Sequence, residues 1–376
     1  MPLHRDGPPA VHLHGPRAAR RRRPGDALRR PRRGRPAGAL PGRPPPGSPV
    51  TKPERVQAAI DRAPVDRVPY AFWRHFPDAD HSPRALAEAT LAFHARWGSD
   101  FIKLTPAGGY AVREWGCVES AEVSADGHRP CATCAVRSPA DWAKIRPLDP
   151  AAAHGYAQQV ETLIRMGGDG RVDCAILPTL FSPLSVARKL SGDRLAADLR
   201  EHPEAVEAAL EAIAETLTRY ASLVLDEGAG GIFYAIQAAS LSVCTEAEYA
   251  RFGAPYDQRV LESLEARSGL TIIHCHGDRL MWTQLARLPG HVWSWDDRAT
   301  PPSLGDGKAV VAGAVLGGLH QWRTLADGTP EQARAETRDA IAQTGGIGLI
   351  VGPGCVVPPA ASPANLAAVV TTVGGR

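Results

Sequence analysis

The 376-residue sequence contains no run of about 18 apolar residues, so no ordinary membrane-spanning helix is expected. Its N-terminus lacks an apolar h-region, which argues against a secretory signal peptide. A disulfide framework is missing as well. The seven cysteines, at positions 117, 131, 134, 174, 244, 275 and 355, are odd in number and scattered, a pattern that reads as a reduced, cytoplasmic protein. No G-x-G-x-x-G and no P-loop follows a candidate strand, which removes the commonest nucleotide-binding folds, and there is no internal repeat of fixed period. Lysine is absent from the first 50 residues, which hold twelve Arg and two Asp and so carry +10. With +3 overall, the remainder carries −7. That mildly acidic body predicts no affinity for nucleic acid.

Residues 1–50 are Arg, Pro, Gly and Ala without a period, centred on "ARRRRPGDALRRPRRGRP". Such a segment buries too little apolar surface to offset its ordering entropy, so a disordered Arg/Pro-rich arm is expected. A basic arm for nucleic acid and an organelle transit peptide are two readings of it. Scarce Ser and abundant Pro argue against the second. The sequence favours a third, a mis-assigned start. Val50 stands directly before "TKPERVQAAI", where helix grammar begins, and valine codons can serve as starts in GC-rich genomes. The globular domain is therefore placed at 51–376.

From Thr51 onward, helix starts recur: Thr51 with Glu54, Ser82-Pro83, Ser138-Pro139, Thr245 with Glu248, Thr329-Pro330 with Gln332, and Ser362-Pro363. They imply helices including 85–97, 151–166, 203–227, 247–266 and 331–344. Between them lie eight short apolar runs, 68–73, 101–105, 174–177, 231–235, 270–273, 292–295, 309–314 and 347–351. Most lack polar alternation, as expected of parallel strands covered on both faces. Eight strands alternating with helices predict an α/β fold, a (β/α)₈ TIM barrel. The stretch 116–137 breaks the alternation and reads as a hairpin inserted after the second strand. It carries Cys131 and Cys134 in a C-x-x-C, which without a second pair is a weak zinc signal.

In such a barrel, chemistry sits at the C-terminal ends of the strands. The fifth run leads into His274, Cys275 and His276. Side chains alternate along a strand, so the two histidines share a face and Cys275 faces the other way. The eighth run ends in a Gly-Pro-Gly turn that presents Cys355. Two His and one Cys suit Zn²⁺, and three protein ligands mark a catalytic rather than a structural site. The competing reading is buried polar residues satisfied by hydrogen bonds. Arg74 and His75 follow the first run, and Asp296, Asp297 and Arg298 follow the sixth. Structural ion pairs and a helix cap are the alternatives for the arginines and aspartates, and core packing for Trp73, Trp293 and Trp295.

"DRVPYAFWRH", "LPTLFSPLSVARKLSG", "GKAVVAGAVLGGL" and "IGLIVGPGCVVPPAASPANLAAVV" occur in this order and together resemble the uroporphyrinogen decarboxylase superfamily, over most of the chain from Thr51. The resemblance implies a (β/α)₈ barrel and two activities: decarboxylation of porphyrinogen acetate groups, or zinc-dependent methyl transfer between a corrinoid protein and a thiol. Decarboxylases of the family carry an Arg-Gln-Ala-Gly-Arg loop after strand one and an Asp ending strand two. Here the loop is Arg74-His75-Phe76-Pro77, and Pro106-Ala107-Gly108-Gly109 offers no carboxylate for pyrrole N–H groups. Leaving those unpaired would cost about 1–3 kcal/mol each. The methyltransferase branch carries His-x-Cys and a later Cys as zinc ligands. His274 and Cys355 match, and His276 replaces the middle Cys.

The expectation is thus a methyltransferase-type enzyme, with His274, His276 and Cys355 binding zinc and a small thiol or acidic substrate. Arg74 and His75 would hold the substrate's acidic part, and Asp297 would orient a ligand or exchange a proton. A corrinoid carried by a partner protein is implied as methyl donor or acceptor. The alternatives are a metal-independent decarboxylase and a tetrapyrrole-binding protein without catalysis.

Overall fold

The helix starts are set by side chains that satisfy otherwise unpaired N–H groups. Thr51 accepts from Glu54 N while the Glu54 carboxylate accepts from Thr51 N, and this reciprocal box opens the helix Lys52–Ile60. Thr245 with Glu248 opens Glu246–Phe252 in the same way, and Thr329 with Gln332 opens Pro330–Thr344. Ser82 caps Pro83–Trp97. The helix expected over 247–266 is two helices, Glu246–Phe252 and Ala254–Glu265, separated at Gly253. Pro255 lacks an N–H and cannot continue the first helix, which accounts for the break.

The computed structural model describes residues 49–375. The expectations of a disordered arm and of an alternative start concern a segment that lies, but for its last two residues, outside them. Among the described residues no helix is long and apolar enough to cross a membrane.

The strands are β1 Phe101–Leu104, β2 Val118–Glu119, β3 Cys131–Thr133, β4 Ala175–Phe181, β5 Gly231–Ile236, β6 Leu270–Cys275, β7 Val292–Ser294, β8 Ala314–Leu319 and β9 Leu349–Pro353. Seven of them form one sheet in the order β1-β4-β5-β6-β7-β8-β9, with every neighbouring pair parallel. β2 and β3 form the antiparallel hairpin expected within 116–137.

The run 68–73, expected as the first strand, makes only a single bridge, Tyr70 with Val351. Toward β9 its backbone pairs as a strand would, Ala71 N to Val351 O at 3.0 Å and Val351 N to Pro69 O at 2.8 Å. Toward β1 one backbone bond remains, Asp100 N to Tyr70 O at 2.8 Å, and side chains take the segment's own N–H groups: Tyr70 N donates to the Asp100 carboxylate and Phe72 N to Ser99 Oγ. The segment therefore fills the eighth position and closes the curled sheet without a regular ladder. A second correction concerns 309–314. Ser303 caps a helix, Leu304–Val310, and the strand begins only at Ala314. Gly317 and Gly318 lie inside β8.

Inside the barrel, Ala71, Trp73, Phe101, Leu177, Phe233, Leu270, Ile272, Val292, Ala314, Leu316 and Ile350 form one buried cluster. Trp73 meets Phe233 at a ring separation of 5.4 Å. Each of the larger side chains here contributes roughly 1.5–3 kcal/mol by burial, offset by ordering entropy. This cluster fixes which residues face inward, and the two-residue period carries that face upward. Trp73 leads to His75, Phe101 to Lys103, Ile272 to His274 and His276, and Val292 to Ser294 and Asp296.

Candidate metal centre

β6 holds His274 in register with Ala235 of β5 on one side and Ser294 of β7 on the other. His274 pairs with Ser294 across the parallel ladder, and the His274 Nδ1 to Ser294 Oγ distance is 3.2 Å. That contact leaves Nε2 of His274 for the barrel mouth. His276, just beyond β6, is held through its backbone, His276 N donating to Ile236 O. Cys355 arrives from the turn after β9. The turn is tight: a Cβ on Gly354 would lie 2.6 Å from Asp296 Cα, so only glycine brings Cys355 this close to β7.

One ligand atom from each of His274, His276 and Cys355 lies within 4.8 Å of the others. Cys355 Sγ is 3.6 Å from His276 Nδ1. A tetrahedral zinc with Zn–S of about 2.3 Å and Zn–N of about 2.0–2.1 Å separates those donors by roughly 3.6 Å. The donor set and its spacing therefore fit Zn²⁺. Burial by itself would raise the Cys355 thiol, but hydrogen bonds from His274 and His276 outweigh it and hold the thiol well below its ordinary value. The same contact raises His276, whereas burial pulls His274 down. The cluster is already polarised toward thiolate, the form that ligates a metal. Cys275 faces away and is buried, and burial pushes its thiol up.

A cavity of about 230 Å³ opens beside the cluster, lined in part by His276, Asp296, Thr300, Gln321 and Cys355. Gln321 Nε2 donates to Asp296 Oδ2 at 2.8 Å. Asp296 Oδ1 and Gln321 Oε1 are buried and, among the described residues, have no hydrogen-bond partner.

The other sequence candidates do not all converge here. Asp297 is turned away by the strand period. Its Oδ1 accepts from Gly318 N at 2.7 Å, and its Oδ2 lies 3.5 Å from Arg298 Nε. Burial pushes its carboxyl up to about 6. The carboxylate at the cavity is Asp296, and the expected role of Asp297 is corrected accordingly. Arg74 also falls on the outward face. It packs over the Phe76 ring and its Nε donates to His75 O, which leaves it beside the helix Pro83–Trp97 rather than the cluster. His75 does face inward, beneath the hairpin, with its ring 6.3 Å from that of His128. Burial, with Lys103 nearby, pulls it down to about 3, so it is neutral at pH 7.

Three residues at the mouth, Lys103, Ser294 and Gln321, are not among the sequence candidates, and Asp296 is among them without an assigned role. Lys103, Ser294 and Asp296 are recoverable from the period that continues Phe101 and Val292 upward. Gln321 opens a short π-helical turn, Gln321–Ala326, for which no local sequence signal exists. Cys131 and Cys134 lie on the hairpin with sulfurs 3.8 Å apart. A second group, His94, Asp173 and Cys174, is drawn together on the outside of the barrel, but Lys52 Nζ already sits there, 2.9 Å from Asp173 and 3.3 Å from His94. That group reads as an anchor for the first helix.

The family profile described as uroporphyrinogen decarboxylase (URO-D) matches residues 51–375. Methylcobamide:CoM methyltransferase MtbA of Methanosarcina mazei is 22% identical over 338 residues, 84% of this chain and 95% of that protein. Methylated-thiol–coenzyme M methyltransferase of the same organism is 28% identical over 172 residues, 45% of each chain. Among solved structures, a methyltransferase from Methanosarcina mazei superposes with a TM-score of 0.73 at 20% identity, over 86% of this chain and 98% of that one. A B12-independent methionine synthase from a Shewanella species, in complex with selenomethionine, gives 0.52 at 14% identity, over 90% and 96%. Both structural likenesses are likenesses of fold.

Proposed function

The chain belongs to the uroporphyrinogen decarboxylase family, and from that premise we propose that it is a zinc-dependent methyltransferase that passes a methyl group between a corrinoid carried by a partner protein and a small thiol. The observation that carries the proposal is the meeting of His274, His276 and Cys355 at zinc spacing beside an open cavity. The names of the relatives support methyl transfer as the reaction class.

When bound, zinc would supply the Lewis acidity that lets a coordinated thiol lose its proton near neutral pH. The chain's own residues prepare that step. His274 and His276 are neutral donors, so the ligand set carries only the Cys355 charge. Ser294 orients the His274 ring, and Gln321 holds Asp296, to which this reading assigns the thiol proton. In the thiol-methylating direction, the sulfur lone pair forms the new C–S bond as the methyl–cobalt bond breaks, with the bonding pair left on cobalt.

The decarboxylase reading loses its remaining support in the mouth. Arg74 does not face it, and the carboxylate near the end of β1, Glu119 from the hairpin, is engaged with Gly109 N and Arg113. The test is zinc stoichiometry together with transfer from methylcobalamin to a thiol. One zinc per chain is expected, lost in Cys355→Ser, with thiol methylation only in the zinc-containing protein. Full methylation by metal-free protein would overturn the proposal.

A further inference from the structure

Cys131 and Cys134 belong to the hairpin and take no part in the metal centre. Three residues apart on a regular strand, they would face opposite ways. β3 is not regular. Val118 faces Thr133 and Glu119 faces Cys131, so Ala132 is left unpaired as a bulge. That extra residue shifts the two-residue period by one and turns both cysteines to the same side. Their sulfurs lie 3.8 Å apart, in van der Waals contact. A disulfide draws such sulfurs to about 2.05 Å, a gap that side-chain rotation spans.

The two thiols differ in access. Cys131 is exposed and donates to Thr133 O at 3.1 Å. Cys134 is half-buried against Gly192, which follows the helix Pro183–Ser191; a Cβ on Gly192 would lie 3.4 Å from the Cys134 sulfur. Burial, then the contact with Cys131, pushes the Cys134 thiol up to about 11, so it keeps its proton at pH 7. A third thiol, Cys117, is buried behind them. It accepts from Ala135 N at 3.4 Å and donates to Lys189 O at 3.6 Å, contacts that hold it in place. Among the described residues, Cys117 does not complete a group of three ligand atoms within 4.8 Å with Cys131 and Cys134. The hairpin therefore presents a dithiol and not the closed ligand set of a structural zinc site. In a reducing compartment, disulfides that form from such pairs are usually transient and catalytic or redox-sensing.

We propose that Cys131 and Cys134 are a redox-active dithiol that reduces small-molecule disulfides and closes to an intramolecular disulfide. Cys131 loses its proton to solvent and attacks one sulfur of the disulfide RSSR. The S–S bond breaks, and the departing thiolate takes up a proton and leaves as RSH, with R–S now bonded to Cys131. Cys134 then attacks the Cys131 sulfur as its own proton leaves. The Cys131–Cys134 bond forms and the second RSH departs. Two electrons and two protons pass from the dithiol to RSSR, and an excess of RSH runs the exchange backwards. The inference does not rest on the zinc–thiol reading above.

The experiment incubates the full zinc-loaded chain with oxidised glutathione near neutral pH, alkylates it in denaturant and digests it with trypsin. Cys117, Cys131 and Cys134 stay on one peptide, 114–137, because Pro130 protects the bond after Arg129. Mass spectrometry should find one internal disulfide in that peptide, with the alkyl label on Cys117, and dithiothreitol should restore three free thiols. Cys134→Ser should stop at a stable adduct of glutathione on Cys131. Cys131→Ser should slow reaction on the hairpin by at least about tenfold, because the accessible attacking thiol is gone. Three alkylated cysteines after exposure to the oxidant would overturn the proposal, and so would a disulfide that includes Cys117. Undiminished reaction in Cys131→Ser would overturn it too, since Cys134 would then be reacting without its partner. A second zinc per chain, lost in Cys131→Ser and kept in Cys355→Ser, would overturn it in favour of a metal site on the hairpin. The readout is thiol chemistry alone, so the dithiol stands or falls separately from methyl transfer.

Discussion

Ser294→Ala isolates a side-chain contact that orients His274, a proposed zinc ligand, without touching the proposed metal position. Ser294 is fully buried, and its Oγ lies 3.2 Å from His274 Nδ1. Removing the hydroxyl frees the ring to rotate and leaves Nδ1–H without an acceptor, since His274 is walled by Phe233 on its other side. Partners of this kind are worth about 10–100-fold in metal affinity, or about 1.4–2.7 kcal/mol. That range matches the roughly 1–3 kcal/mol for a buried donor left unpaired. The measurement is zinc affinity by competition with a chromophoric chelator, alongside the urea midpoint of the metal-free protein. Zinc should weaken by one to two orders of magnitude, while metal-free stability falls by about 1 kcal/mol or less, because the small cavity is only one oxygen in size. An unchanged zinc affinity would refute the reasoning, since it would mean that His274 is oriented by β6 alone or is not a ligand.

Other expectations follow from the same geometry. Cys275→Ser should keep the metal, because that side chain faces away from the cluster, and zinc analysis of the purified variant checks it. Incubation with uroporphyrinogen should yield no coproporphyrinogen, and turnover on the order of 1 s⁻¹ would reinstate decarboxylation. Asp257 is fully buried, accepts from Tyr234 and Tyr249 at 2.7 and 2.6 Å, and is pushed up to about 7 by burial. Its unfolded value is about 3.9, so folding retains a proton that the unfolded chain releases. The stability this confers is present below about pH 4 and is lost as pH rises through about 7. Relative to wild type, Asp257→Asn should therefore gain stability between pH 4 and 7, by up to about 4 kcal/mol at about 1.4 kcal/mol per unit. Urea midpoints across that range read the difference, and a difference that does not change with pH would show that Asp257 is ionised in the fold.

The parts of the site that could be read from the chain were those governed by a period or by a chemical type. H-x-H on a buried run puts two imidazoles on one face whatever the surrounding fold, and a cysteine after Gly-Pro-Gly at the last strand end can reach them in a barrel. The misassignments share one cause. Charge and nearness to a strand end point to Arg74 and Asp297, although each is one residue out of step with the inward face that Trp73 and Val292 set. A single step along a strand reverses the side of the sheet, so His75 and Asp296 face the mouth and their neighbours face the helices. Knowing that Trp73 and Val292 belong to the interior cluster would have been enough to move both assignments.

The first and seventh strands were hard to place for different reasons. At 68–73, Asp100 and Ser99 side chains take the N–H groups a neighbouring strand would take, and nothing local marks that substitution. At 309–319 one apolar run feeds two elements, and the boundary is set by the Ser303 cap upstream and by packing of Gly318 against Ala340. Lys103 is hard to read from sequence for a third reason. A lysine inside "FIKL" looks like a polar interruption at the edge of a strand. Its meaning comes from what surrounds it in three dimensions: Phe233 from β5, His274 from β6 and Cys355 from the turn after β9, three segments far apart in sequence. That environment is a property of the assembled barrel and not of any local stretch of the chain.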